Sequence, residues 1–236
     1  AIWTGAKMFI SGGEDGVTAF NDSFSFDPAL MAWAPLSNLD SLNAVAVPAR
    51  STHTTVWTGV LMLAFGGFNG VSYLQSAYAY NPGINDWSTI ASLSTPAARA
   101  QHTAVWNGTA MLIWGGFDGG NYLSSGGTYT LAQDFWTPMV TPPTGIVGRR
   151  GHSAVWMPST NRMVVWGGEN GSFLGDGASF DPANNVWNAS PMPTAPLPRA
   201  WHTAVVTDAN KMLVWGGNTA SGPTATGALF DPTLAP

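Results

Sequence analysis

One four-residue signature, Arg-x-x-His, occurs four times, as Arg50/His53, Arg99/His102, Arg149/His152 and Arg199/His202. These are the side chains best placed to do chemistry. A ring of four imidazoles could hold a metal ion, and Arg with His could act as acid and base. Recurrence at one position argues instead for a structural role, since a buried imidazole must be hydrogen-bonded. A metal centre wants asymmetric ligands and an open position. Acid–base catalysis would want a distinctive carboxylate pair, and none accompanies the signature. No cysteine is present, so disulfides and thiolate metal sites are excluded. No phosphate loop, nucleophile motif or zinc spacing appears, and the expectation is no catalytic residue, no metal and no cofactor.

The elements that carry the signature follow from its surroundings. Each His precedes an apolar-alternating stretch such as Thr103-Ala104-Val105-Trp106, which has the period of a strand. A short turn follows; in the third copy it is Asn107-Gly108, a strong hairpin signal. A second apolar run, such as Met111-Leu112-Ile113-Trp114, then leads into a Gly-Gly pair. These pairs begin at Gly12, Gly66, Gly115, Gly167 and Gly216, at intervals of 54, 49, 52 and 49 residues. An aromatic stands 14 residues past the first glycine in four copies (Phe26, Tyr80, Tyr129, Phe230) and 13 past it in the other (Phe180). Seven residues further on is Trp33, Trp87, Trp136 or Trp187, beyond a turn rich in Pro and Asn.

Each repeat thus reads as four short antiparallel strands. One such sheet would expose two apolar faces, and packing sheets radially buries both, which makes an all-β propeller. The five repeats are expected as one domain over 1–236, with blades at 1–37, 50–92, 99–140, 149–192 and 199–236. The first lacks its Arg-x-x-His and the last its outer strand with Trp. A closed five-bladed ring is the expectation, with a segment of a larger propeller as the other reading.

The joint spacing of Arg-x-x-His, Gly-Gly, aromatic and Trp resembles the Kelch repeat, over essentially the whole chain. The resemblance implies four-stranded blades with the Arg-x-x-His strand innermost, and arginines able to contact acidic ligands. The Trp-rich runs before the glycines look like those of bacterial extracellular Kelch-like proteins. Kelch-like propellers include a copper galactose oxidase, which needs a cysteine that this chain lacks, and a sialic acid mutarotase.

Antiparallel connectivity puts the second-to-third-strand loops and the interblade links on one face. These are the long, variable connections, and binding usually lives there. The candidate ligand-binding residues are Arg50, Phe68, Asn69, Tyr73, Arg99, Phe117, Asp118, Asn121, Tyr122, Arg149, Glu169, Asn170, Phe173 and Arg199. Asn69-Gly70 and Asp118-Gly119 read more simply as turn residues supplying positive φ. Aromatics beside Asn and Asp suit a protein or glycan ligand, which makes a non-catalytic recognition or assembly module the leading reading. A sugar-active enzyme, or a structural unit that self-associates or belongs to a larger parent protein, are the alternatives.

Composition limits the rest. Charged residues make up 9% and the net charge is −5, so there is no basic surface for nucleic acid. No apolar run is long enough for a membrane helix, and no membrane insertion is expected. Low charge with abundant Thr, Ser and Asn suggests a secreted, extracellular bacterial protein.

Overall fold

The structure, a computed structural model, describes residues 1–189 and 196–231. The ends of blades 4 and 5 read from the sequence, at 192 and 236, lie outside the described residues. The described chain is all-β apart from one turn of 3-10 helix at Leu131–Gln133. It forms five consecutive antiparallel blades. Blade 3 is typical, with strands Thr103–Trp106, Ala110–Trp114, Gly126–Thr130 and Phe135–Pro138 running from inside to outside. Blades 1, 2 and 4 have the same four-stranded order, and among the described residues blade 5 has three strands, Thr203–Val206, Met212–Trp215 and Gly227–Phe230.

The sequence spacings become cross-strand registers. Trp106 opposes Met111, Met111 opposes Tyr129, and Tyr129 opposes Trp136. The row Trp3, Met8, Phe26 and Trp33 repeats this in blade 1. The seven-residue interval therefore stacks each aromatic beside its Trp, with ring centroids 5.0–5.2 Å apart. Such pairs stabilise a sheet face beyond their buried area. Between blades 2 and 3, Leu63 and Phe65 pack on Met111, Ile113, Tyr129 and Trp136. Equivalent clusters join blades 1 to 2, 3 to 4 and 4 to 5.

The two glycines of each pair have different tasks. A Cβ on Gly115 would sit 2.5 Å from His152 Cε1 and 3.0 Å from the Arg149 carbonyl oxygen, both in the next blade. A Cβ on Gly116 would sit 2.7 Å from the Ala100 carbonyl oxygen, within its own blade. Both also have positive φ, 72° and 100°. The first glycine lets the next blade approach, and the second lets its own inner strand fold over it.

Among the described residues this joint is made four times and blades 5 and 1 do not make a fifth, so the expected closed ring is not formed there. Gly216, at φ 72°, has only the Thr224 carbonyl oxygen of its own loop near its missing Cβ, 3.7 Å away. Trp215 is 56% exposed, whereas Trp114 and Trp166 at the same repeat position are fully buried. At the other end Trp33 is 52% exposed, against 2% for Trp87. Among the described residues these two faces pack against no neighbouring blade.

The 17-residue link from Trp33 to Arg50 holds an element not read from the sequence, a hairpin of Leu39–Asp40 and Val45–Ala46. Its buried Asp40 carboxylate accepts the Thr89 amide and hydroxyl at 3.0 and 2.7 Å, pinning the link to the outer strand of blade 2.

Because Gly115 and Gly216 share φ 72°, alanine at either should carry the same backbone strain, about 1–2 kcal/mol. Gly115→Ala should lose a further 1–3 kcal/mol or so, because it overpacks the joint to blade 4. Urea denaturation of the two variants reads the difference directly, and equal losses would contradict the division of labour.

Candidate functional site

The loops after each Gly-Gly and the starts of the inner strands converge on one face. Each Arg of the signature stands at this convergence. The Arg99 amide donates to the Leu74 carbonyl at 3.1 Å, and its carbonyl accepts from the Gly67 amide at 2.8 Å, both in the loop of blade 2. Its guanidinium turns the other way. Nη1 donates to the Gly115 and Ser125 carbonyls at 3.0 and 2.7 Å, Nη2 to Ser125 Oγ at 3.0 Å, and Nε to the Ala97 carbonyl at 2.8 Å. Arg50, Arg149 and Arg199 repeat the arrangement, with Asp176 giving Arg149 a carboxylate at 2.7 Å. All four side chains are buried. Burial lowers Arg50 and Arg99 to about 10, which leaves both charged at neutral pH. The structure therefore gives these four arginines to the framework rather than to the mouth where the sequence reading placed them.

The histidines are bolts between blades. His102 Nε2 meets Thr54 Oγ1 of the preceding blade at 2.7 Å, His152 meets Thr103 at 2.8 Å, and His202 meets Ser153 at 2.8 Å. Each imidazole also packs edge-on against the aromatic before the preceding glycines, with His102 5.3 Å from Phe65. The Nδ1 atoms of these three rings are buried, and each Nε2 is engaged by a hydroxyl. Among the described residues no cluster of three or more His, Asp or Glu could hold a metal. Burial first, and then the neighbouring arginine, pushes His53 to about 3 and His202 to about 4. His102 and His152 are driven well below the ordinary range by the same causes. All four are neutral at physiological pH.

Above this frame lies an aromatic stripe. Phe68 and Tyr73 are 5.0 Å apart between ring centroids, Tyr73 and Phe117 5.9 Å, and Phe117 and Tyr122 5.2 Å, across blades 2 and 3. The stripe ends on Arg150, whose guanidinium lies 4.9 Å from the Phe117 centroid, 5.4 Å from Tyr122 and 6.0 Å from Trp201. Arg150 Nε donates to Glu169 Oε1 at 2.5 Å and Nη1 to Gln101 Oε1 at 3.2 Å. Tyr122 donates its hydroxyl proton to Glu169 Oε2 at 3.2 Å. Burial alone would raise the Glu169 carboxyl, but the Gly171 amide, Arg150 and Tyr122 outweigh it and hold it below its ordinary value.

Of the sequence candidates, Phe68, Tyr73, Phe117, Tyr122 and Glu169 come together here. Phe173 bridges back to Glu169 through its backbone. Asn69 and Asp118 close their own loops: Asn69 Oδ1 accepts the Val71 and Ser72 amides, and Asp118 Oδ1 those of Gly120 and Asn121. Asn121 turns its amide back on Asp118, and Asn170 closes a turn to Ser172.

Arg150, Gln101 and Trp201 were missed. They occupy the x positions of Arg-x-x-His, where the copies read Ser-Thr, Ala-Gln, Arg-Gly and Ala-Trp. That divergence inside a fixed frame was the available signal. The second x is left-handed in every copy, with φ from 50° at Thr52 to 61° at Trp201. Glycine at 151 is thus not demanded by φ, because other residues adopt it. It makes room: a Cβ there would lie 2.8 Å from the Trp201 indole. Thr52, Gln101, Gly151 and Trp201, with the four histidines below, line an open axial cavity of about 340 Å³.

This geometry agrees with comparison to known proteins. A family model described as the KLHDC2/KLHL20/DRC7 Kelch-repeats domain matches residues 1–217, and the chain belongs to the Kelch-repeat family. Two Caenorhabditis elegans proteins are similar to it, the Kelch repeat and BTB domain-containing protein F47D12.7 and the Kelch repeat-containing protein kel-10. Each is 28% identical over 88 residues, which is 37% of this chain and 15% of the relative.

Depressed histidines make stability depend on pH. The unfolded chain takes up protons near pH 6.5, while the folded histidines resist them down to about 4 or below. Stability is therefore full above about pH 6.5 and falls with acidification towards 4, by up to roughly 1.4 kcal/mol per pH unit per histidine. The thermal midpoint should drop steadily between pH 7 and 4.5, with a shallower slope in His102→Gln. A flat profile would contradict the buried neutral ring.

Proposed function

We propose that this chain is a non-catalytic recognition module that binds a protein partner through the mouth formed by the Tyr73–Phe117–Tyr122 stripe, Arg150 and Trp201. The observation that supports it best is the stacking of Arg150 among Phe117, Tyr122 and Trp201, fixed by Glu169 and Gln101. Tyr, Trp and Arg dominate the energetics of protein interfaces, and holding them rigid lowers the entropy cost of binding. The stripe is half-buried, so its rings are pre-positioned while their upper edges stay accessible. A glycan would call for free hydroxyl-binding groups, whereas Asn69 and Asp118 use their acceptors to close turns. The neutral histidines, three of them tied to Thr or Ser hydroxyls, favour a binding role over acid–base chemistry. An extracellular setting belongs to the same proposal, supported by the sparsely charged, hydroxyl-rich composition.

The test is selection of a random peptide library on the immobilised chain, with a glycan array in parallel. Selected peptides should lose at least about tenfold in affinity, 1.4 kcal/mol, for Arg150→Ala and for Tyr122→Ala. They should bind Val60→Ser, altered on the opposite face, like the unaltered chain. Melting temperatures should stay close to that of the unaltered protein. Peptides indifferent to both mouth variants, or binding confined to glycans, would overturn the proposal.

A further inference from the structure

The most informative surface outside the mouth lies on the opposite face, in a groove between blades 3 and 4. Its volume is about 430 Å³, within the range of about 300–1,000 Å³ usual for small-molecule sites. Blade 3 forms one wall with Asn107, Thr128 and Thr130, and blade 4 the other with Trp156, Asn161 and Pro182. Thr128 and Thr130 alternate along one strand and so face the same way.

Comparison between the repeats shows why these side chains are unspent. One joint later the corresponding hairpins are tied together: Asn210 accepts the Ser159 amide at 3.2 Å and donates to the Ser159 hydroxyl. Asn161 is the counterpart of Asn210, with the same left-handed backbone, φ 51° against 55°. The hairpin it faces in blade 3 is shorter. Trp106 pairs with Met111 across four residues, whereas Trp156 pairs with Met163 across six. The Asn161 side chain accordingly finds no protein partner among the described residues. Thr130 departs from its copies in the same sense. Asp27, Asn81 and Asp181 stand at its position, and each accepts an amide of its own turn. Thr130 makes no such bond to the turn of 3-10 helix that follows it. Asn107 closes its hairpin with Oδ1, accepting the Thr109 and Ala110 amides at 2.9 and 2.7 Å. Thr58 does the same with a hydroxyl at that position, so asparagine adds two amide donors that the turn does not use.

We propose that this groove binds a neutral saccharide, with an apolar ring face against Trp156 and sugar hydroxyls on Asn107, Asn161, Thr128 and Thr130. Carboxamides and hydroxyls both donate and accept, which matches the mixed demand of a sugar hydroxyl. An indole supplies broad apolar surface beside them. No lining residue is charged, and Arg162 and Asp181 next to the groove pair with each other at 3.0 Å. The equivalent groove one joint earlier, beside Trp106, is more apolar, with Val60, Leu61 and Leu131 in its walls. The site shares no residue with the mouth, so the two readings stand or fall separately.

The experiment follows the indole and carboxamide signals of the isotope-labelled chain by nuclear magnetic resonance. The probes are neutral methyl glycosides, their linear oligomers and, as a charged comparison, a methyl glucuronide. At least one neutral probe should shift the Trp156 indole and Asn161 carboxamide signals saturably. Thr130→Val and Asn161→Gly should each weaken that probe at least about fivefold, the worth of a lost hydrogen bond. Glycine accepts the left-handed turn without strain, so melting temperatures should stay close to that of the unaltered protein. Arg150→Ala, altered at the mouth, should bind the probe like the unaltered chain. No saturable shift at Trp156 for any neutral probe up to its solubility limit would overturn the proposal. So would a shift that survives both groove variants, or one produced by the glucuronide alone.

Discussion

A buried guanidinium satisfied by backbone carbonyls holds this fold together. Isolated burial of a cation is costly, and removing its partners is costlier still. Here Arg99 has its donors met by three carbonyls and a serine hydroxyl, which fixes its own blade's second and third strands at their innermost ends. The same residue's amide and carbonyl close on the preceding blade's loop. One residue thus ties its own blade together through its side chain and the preceding blade to it through its peptide groups, beside the hydrogen bond from His102 to Thr54.

From that constraint the other recurrent residues follow. The arginine backbone can approach only where the preceding blade has no Cβ, which accounts for the first glycine. The histidine three residues later lies over the same glycine, reaches back to a hydroxyl, and caps the aromatic before it. With the frame carried by the recurrent Arg, His and Gly-Gly, the two positions between Arg and His differ from copy to copy. The second of those positions lines the axial cavity in each copy, and Arg150 at a first position stacks near Trp201 at a second. The proposed recognition surface is therefore built from side chains outside the repeated Arg and His contacts.

Much of the fold was legible because strand pairing converts sequence distance into register. The fixed interval from Tyr129 to Trp136 can only be a hairpin that stacks the two rings, and it does. Spacing identifies where a residue stands but not which way its side chain turns. Arg99 stands at the mouth, as its position in the repeat implies, yet its guanidinium points into the blade. The Leu39–Ala46 region carried no repeat signal, and its hairpin depends on a tertiary contact, Asp40 with Thr89, that no local pattern announces. Arg150 and Trp201 were illegible for the opposite reason, since each occurs once and a search for recurrence passes over it. The open edge was half visible. Repeat spacing alone did not show whether the first and last blades meet; among the described residues the packing around Trp215 and Gly216 shows that they do not.

The central claim concerns geometry rather than charge at the arginine. Lysine keeps the charge but offers a compact ammonium in place of the forked guanidinium. Equilibrium urea unfolding of Arg99→Lys should therefore show a loss of at least about 3 kcal/mol, as the Gly115 and Ser125 carbonyls and the Ser125 hydroxyl lose their donors. A variant within about 0.5 kcal/mol of the unaltered protein would mean that the joints hold without the guanidinium, and would contradict the account.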